Sequence, residues 1–317
     1  MAKKHTIDPV LAAIRQATQD EAAAYAFIEA QRWGDQPACP WCGSTDVYAM
    51  KDRKTGARHK HYRWRCHDCV KYFSVRTGTV LEESRLPLST WVYAFWKACS
   101  SKKGISALQV SRERGITHKT ALYLMHRIRL AMDEDPTANG PLAGIVEADE
   151  TFVGGKKRVG KAGRKGAARN RMKNKSIVFA MVERGGRVKA MHVERIHGGN
   201  LKRELRENVE RGARVMTDEA KYYKRLGRQF THETVNHSAK EYARGDVTTN
   251  TVEGFFSLIK RGVYGTFHSV SKHHLHRYVS EFEFRYNTRK MEDSQRTLAA
   301  IRGAEGKRLS VHPLDAA

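Results

Sequence analysis

The chain has 317 residues and is 40% hydrophobic, which suits two or three globular domains and excludes a disordered polymer. Its 58 Lys and Arg stand against 34 Asp and Glu, a formal charge of +24. So large an excess strains a compact fold by self-repulsion and implies a polyanionic partner. No long apolar run marks a membrane span, no stretch reads as a basic amphipathic anchor, and Met1–Asp8 lacks a signal-peptide core. A cytoplasmic, nucleoid-associated protein is therefore expected rather than a membrane-bound one.

Residues 7–33 repeat apolar positions at helical spacing (Val10, Leu11, Ile14, Ala24, Phe27, Ile28), predicting an N-terminal helical segment over 1–36. Over 37–80 the pattern changes to a turn signal at Cys42-Gly43-Ser44 and alternating aromatics at Tyr62, Trp64, Tyr72 and Phe73. Two Cys-x-x-Cys knuckles, Cys39/Cys42 and Cys66/Cys69, lie in this ribbon with 23 residues between them. Four thiolates suit a tetrahedral Zn2+, and the doubled spacing favours metal over a redox pair or disulfides. With four protein ligands there is no open position, so the zinc is structural. A basic hairpin over Lys51–Lys60 accounts for the long interval; His67 reads as a bystander and Cys99 as a buried small apolar residue.

Residues 86–132 are helical in pattern, and 106–130 (SALQVSRERGITHKTALYLMHRIRL) predict a helix-turn-helix. The first helix would turn Leu108 and Val110 inward and end at Gly115. Ile116 plugs the turn, and Thr117 caps the second helix. Ala121, Leu122, Leu124 and Met125 supply its packed side, leaving His118, Lys119, Thr120, Tyr123 and Arg127 for DNA in the manner of a recognition helix. An ordinary two-helix hairpin has the same outline.

The stretch 133–141 (DEDPTANGP) is a polar linker. Beyond it, strands are expected at 144–153, 176–183, 187–194, 213–217 and 234–236, and helices at 200–211, 250–261 and 271–286. Arg184-Gly185-Gly186 is a hairpin turn. This order describes a mixed α/β layer fold over 142–295, with 296–317 as a C-terminal tail.

Three acids stand out in this region. Asp149 lies in a strand (GIVEADETFV), Asp218 follows another (ARVMTD), and Glu253 sits on a helix (NTVEGFFSLIKRG) after an interval of 34 residues. Carboxylates converging from two strands and a helix can hold a pair of hard divalent cations for phosphodiester chemistry. Lys260, seven residues after Glu253, lies two turns along the same face and suits a DNA phosphate. Structural alternatives exist for these acids. Asn250 and Glu253 have capping-box spacing, Glu147 shares a strand face with Asp149, and Glu150 faces oppositely.

The spacing of Asp218, Glu253 and Lys260 resembles the signature of DDE transposases and retroviral integrases. More narrowly, VEADETFVGGK, TDEAKYY and NTVEGFFSLIKRGVYGTFHSVSKHHLHRYVSEFEFRYN resemble bacterial insertion-sequence transposases with an ISXO-like domain, which also carry an N-terminal zinc ribbon and a helix-turn-helix. The resemblance implies an RNase H-like core and two Mg2+ ions (Mn2+ substituting) held by Asp149, Asp218 and Glu253. It also implies binding of double-stranded DNA at terminal inverted repeats, cleavage, strand transfer and self-association into a dimer or larger synaptic assembly. A non-catalytic DNA-binding regulator and an RNase H-like nuclease are the competing functions.

Two further stretches are basic or histidine-rich. Residues 156–175 hold ten Lys or Arg in twenty, including Lys156, Lys157, Arg158, Lys161, Arg164 and Lys165, and suggest a loop that orders on DNA phosphates. His268, His273, His274 and His276 are too irregularly spaced for a metal site. Leu275, Tyr278, Val279 and Phe282 predict the packed side of a helix supporting the active site.

Overall fold

The computed structural model describes residues 8–134, 139–154, 175–224, 226 and 229–310. The described residues fall into two compact units, Met1–Met132 with Met291–Ala317, and Asp133–Lys290. The basic residues Lys156, Lys157, Arg158, Lys161, Arg164 and Lys165 lie outside the described residues.

In the first unit the N-terminal helical stretch is two helices, α1 (Pro9–Gln19) and α2 (Glu21–Trp33). Asp8 caps the first by accepting the Val10 N–H at 2.9 Å, and Asp20 caps the second by accepting the Ala23 N–H at 2.6 Å. The short acidic side chain at Asp20 competes for backbone donors and starts a new helix where hydrophobic periodicity alone runs on. A three-stranded antiparallel sheet follows: β1 (Val47–Ala49), β2 (Trp64–Cys66) and β3 (Tyr72–Phe73). Its inner face packs Val47, Trp64 and Phe73 around Cys39 and Cys66 against Trp33. Glu29 of α2 anchors it, accepting from Arg58 at 2.8 and 2.5 Å and from the Trp64 indole at 2.9 Å.

Three helices follow: α3 (Leu88–Ser100), α4 (Ala107–Arg114) and α5 (His118–Ala131). Gly115 ends α4 at φ 63°, ψ 30°, the left-handed conformation that glycine adopts without a Cβ clash. Thr117 caps α5 by accepting the Thr120 N–H at 3.2 Å. Val110 is buried as expected, but Leu108 is 46% exposed, because Ala107 and Val110, three residues apart, set the packed face of α4. Residues 291–310 join this unit rather than forming a tail: the helix Asp293–Arg302 buries Leu298, Ala300 and Ile301 and packs on α3.

The second unit is built on a five-stranded sheet of β4 (Ile145–Val153), β5 (Ser176–Glu183), β6 (Val188–Val193), β7 (Arg214–Asp218) and β8 (Thr231–Val235). Their order is β6-β5-β4-β7-β8. The β4–β5–β6 meander is antiparallel, and β7 and β8 run parallel to β4. This order and these directions are those of an RNase H-like core. The short pair β9 (Ala243–Arg244) and β10 (Val247–Thr248) leads out of the sheet.

Alternation along the strands divides the core into two layers. Val146 and Ala148 of β4 and Phe179 and Met181 of β5 pack under α6 (Gly198–Asn208), with Leu201, Leu205 and Tyr223. Val153, Val178, Ala180 and Val182 point the other way, under α7 (Asn250–Gly262) and α8 (Leu275–Asn287). Helix α7 buries Val252, Phe255, Phe256 and Ile259 at helical spacing. It also comes very close to α8: a Cβ at Gly262 would lie 2.1 Å from Cζ of Phe282. Leu275, Tyr278, Val279 and Phe282 form the buried side of α8.

Candidate active site and metal centre

Strand register brings the two aspartates together. The β4–β7 pairing ends at Glu147↔Met216, two residues short of both Asp149 and Asp218, so the two carboxylates stand side by side beyond the last bridge of adjacent parallel strands. Burial pushes the Asp149 carboxyl up to about 7, with the charges of Asp218 and Glu253 adding to it, while the Glu150 N–H bonded to it and His237 pull the other way. The Glu150 N–H lies 2.7 Å from Asp149 Oδ1. Asp218 is also raised, by burial first and by Glu219, against the N–H of Ala220 at 3.0 Å. Two half-buried acids that resist ionisation beside each other form a site that a cation would neutralise.

Glu253 enters from the first turn of α7. It does not form a box with Asn250, since the helix begins after Thr249; its Oε1 accepts the Thr249 hydroxyl at 3.1 Å and lies 4.0 Å from Nε2 of His237. Lys260 is exposed on the same face of α7. Asp149 is thus in electrostatic reach of both Asp218 and Glu253. Among the described residues, only the cysteine sulfurs close to within 4.8 Å as a group of three or more metal-ligating side chains.

The other acids of β4 have structural partners. Glu147 is fully buried and accepts from Arg184 at 2.7 Å, from the Thr251 N–H at 2.6 Å and hydroxyl at 2.9 Å, and from the Val252 N–H at 3.1 Å. It supplies the N-terminal cap that α7 lacks locally, with charge of the sign that end of a helix favours. Its lone pairs are committed to those donors, so it is not the alternative cation ligand that strand alternation allows. Glu150, on the opposite face, accepts the hydroxyls of Tyr222 and, at 2.8 Å, of Tyr223. Burial pushes Glu150 up to about 7, against the Tyr223 hydrogen bond.

Several neighbours escape a reading of the sequence. His237, just after β8, faces both Asp149 and Glu253, and a single histidine after a strand carries no periodic signal. Glu219 accepts the Ser238 hydroxyl at 2.6 Å and the His237 N–H at 3.0 Å. The Ser238 hydroxyl, ahead of the backbone donors, holds it down at about 2. Tyr222 and Tyr223 lie in the motif TDEAKYY, but nothing in the string says they reach Glu150.

In the first unit all four sulfurs of Cys39, Cys42, Cys66 and Cys69 lie within 4.8 Å of one another, two of the separations being 3.6 Å. Tetrahedral Zn–S bonds of about 2.3 Å place sulfurs roughly 3.8 Å apart, so the set fits zinc. The Cys69 backbone N–H holds the Cys66 thiol down, while against the Ser44 N–H burial and the neighbouring sulfurs push the Cys42 thiol up. The four sulfurs therefore crowd one another as thiolates unless a cation lies between them. His67 is exposed beside Asp46, and Cys99 is buried away from the cluster.

On α5, His118 and Lys119 are exposed at the N-terminus. Thr120 pairs its hydroxyl with that of Thr117 at 2.8 Å, and Tyr123 donates to the Leu309 carbonyl. Arg127 departs from the expected DNA-facing set. It is 4% exposed, lies over the rings of Trp91 (5.1 Å) and Tyr123 (5.5 Å), and donates to the Glu82 carbonyl. Its position beside buried Leu124 and Ile128 turns it into the unit, where its stem and planar head pack on rings.

Two family models match the chain without overlap. Residues 141–287 match the ISXO2-like transposase domain, and residues 19–72 match the transposase zinc-ribbon domain. An uncharacterized protein in the transposable element ISH50 of Halobacterium salinarum is 29% identical over 273 residues, spanning 80% of this chain and 86% of that one. A chain of the cryo-EM structure of the simian T-cell lymphotropic virus intasome with the PP2A regulatory subunit B56 gamma aligns at 16% identity and a TM-score of 0.29. The alignment covers 60% of this chain and 64% of that chain, a likeness too slight to bear on function. Among the described residues, no helix is long and apolar enough to cross a membrane.

Proposed function

We propose that this chain is an insertion-sequence transposase, which binds the terminal inverted repeats of a mobile element, cuts the DNA there and joins the freed end to a target. What supports the reading is that Asp149 on β4 lies near both Asp218 of β7 and Glu253 of α7, with burial raising both aspartates. Hard oxygen donors from two strands and a helix fit Mg2+ or Mn2+. A bound pair of such ions would activate the attacking oxygen and stabilise the leaving one. The chain's own contribution is to hold the acids. Glu147 fixes the start of α7 against β4, Thr249 and His237 hold Glu253, and Lys260 meets a phosphate of the DNA end.

The α4–α5 pair would present His118, Lys119 and Thr120 to base edges and phosphates. The basic residues from Lys156 to Lys175 would add affinity without reading sequence. Joining two ends to one target requires both to be held at once, so a dimer or larger assembly forms on DNA, in the cytoplasm and on the nucleoid.

The test is strand transfer by purified full-length protein, with labelled element-end DNA, a supercoiled target, and Mg2+ or Mn2+. Joined product from the wild type and none from Glu253→Gln is the expected result. Cleavage without joining would make the chain a nuclease, and end binding with neither reaction would make it a regulator.

A further inference from the structure

Zinc accounts for the inner face of the ribbon and leaves its outer face unexplained. Register sets Tyr48 opposite Arg65 and Arg65 opposite Tyr72, so these three side chains form one row across all three strands. Val47, Trp64 and Phe73 occupy the inward face with the cysteines. Tyr48 is 39% and Tyr72 50% exposed. The Arg65 guanidinium lies 5.3 Å from the centre of the Tyr72 ring, and the His67 ring is 4.7 Å from that of Tyr48. At the first knuckle Trp41 is 53% exposed, with the Lys71 ammonium 5.1 Å from its ring.

Tyr72 also lines a cleft of about 1020 Å³ whose walls carry Lys60, Arg63 and Arg85. All three cations are exposed. Residues 37–80 hold nine Lys or Arg against three Asp and no Glu; of those acids Asp46 stands near the row, 4.0 Å from His67.

Cations alone would serve a purely phosphate-binding surface, and exposed rings would then cost solubility for nothing. A duplex hides the faces of its bases, so rings gain little from it. Rings in a row beside a cation-lined cleft match an unpaired strand, whose bases stack on aromatic and guanidinium planes while its phosphates follow the charge. We propose that the Tyr48–Arg65–Tyr72 row binds unpaired nucleotides of a DNA strand, with the backbone running along Lys60, Arg63 and Arg85. This rests on the reading that the chain acts on DNA, whose ends offer unpaired nucleotides when they are opened.

The experiment measures fluorescence anisotropy of zinc-loaded full-length protein with four probes of equal length: oligothymidine, an abasic strand with the same phosphates, a blunt duplex and oligouridine. Oligothymidine should bind at least about tenfold more tightly than the abasic strand, in keeping with base–aromatic stacking. Tyr48→Ala and Tyr72→Ala should each remove about tenfold of that affinity, and Tyr48→Phe and Tyr72→Phe should restore it. Zinc content reports whether each variant keeps its ribbon, and Tyr48→Leu and Tyr72→Leu replace any alanine variant that does not.

Equal binding of the thymidine and abasic strands would overturn the proposal without any variant. So would unchanged affinity in variants that retain zinc. Tighter binding of oligouridine would assign the row to RNA instead. Binding of duplex alone would sink this proposal but leave the transposase reading standing, whereas binding of no DNA probe would sink both.

Discussion

Glu147 accepts the backbone N–H of Thr251 at 2.6 Å, so the strand that carries Asp149 and the helix that carries Glu253 are joined through a fully buried carboxylate. Arg184 completes the joint, binding Glu147 at 2.7 Å and the Asp246 carbonyl at 3.0 Å. The relative position of two of the three acids therefore depends on a fourth that faces no substrate.

Removing that carboxylate should be costly. Glu147→Ala takes one acceptor from Arg184 and the side-chain acceptor from two helix N–H groups, and leaving such donors unsatisfied typically costs about 1–3 kcal/mol. Glu147→Gln keeps an acceptor oxygen and should cost less while still loosening the first turn of α7. Urea unfolding of both variants measures this. A loss below about 1 kcal/mol for Glu147→Ala, the size of an ordinary net hydrogen bond, would mean the joint does not hold the helix.

Most of the sheet was legible because its strands are short, β-branched and bounded by turn residues; Ser176–Glu183 falls where its pattern puts it. By contrast, β8 starts at Thr231, ahead of the expected 234–236, because its polar THET carries no apolar run. The acids were legible as candidates because they interrupt apolar strands. Their partners were not. Alternation says that Glu147 and Asp149 share a face, but only the arrival of α7 and Arg184 decides that one is saturated and the other left facing charge. Arg127 failed for a related reason: a cation on a helix reads as solvent-facing unless the rings of Trp91 and Tyr123 are known to surround it. The helix Asp293–Arg302 has an apolar stripe, yet nothing local says that it closes on α3.

The acidic cluster should make the protein less stable at neutral pH in the absence of divalent cation. Asp149 and Glu150 are both pushed up to about 7, so the folded state holds protons that the unfolded chain releases near pH 4. Their contribution to stability is fully present below that pH and is lost as pH rises to about 7. In zinc-replete buffer without Mg2+, Asp149→Asn should melt above the wild type at pH 7, and the gap should close by pH 4. Adding Mg2+ or Mn2+ should raise the wild-type Tm and move the variant much less. A wild-type Tm indifferent to both cations would count against the carboxylates as their site.

Two cations on one helix should behave oppositely. Lys119 is exposed, so Lys119→Ala should leave the Tm in place, weaken duplex binding and lower its salt slope by about one. Arg127 is enclosed by rings and bonded to the Glu82 carbonyl, so Arg127→Ala should lower the Tm. Its salt slope should stay at the wild-type value. The reverse pattern would put Arg127 on the DNA and the packed position at Lys119.

Zinc should hold more than the ribbon. Cys66→Ser leaves three sulfurs where a tetrahedral ion needs four, and the strands around it are too short to stand without the metal. The ribbon in turn satisfies Glu29, whose carboxylate on α2 is bonded to Arg58 and to the indole of Trp64. Losing the fold there removes both of these partners from Glu29, so α2 loses the hydrogen bonds that tie it to the ribbon. Metal analysis should find about one zinc per chain in the wild type and in Cys99→Ser, and almost none in Cys66→Ser. Melting of Cys66→Ser should show a lowered Tm for the helices of the first unit, and adding Glu29→Gln to Cys66→Ser should lower it little further, because the partners of Glu29 are already lost. If Cys66→Ser lost zinc while the helices melted as in the wild type, Glu29 would not couple the ribbon to α2.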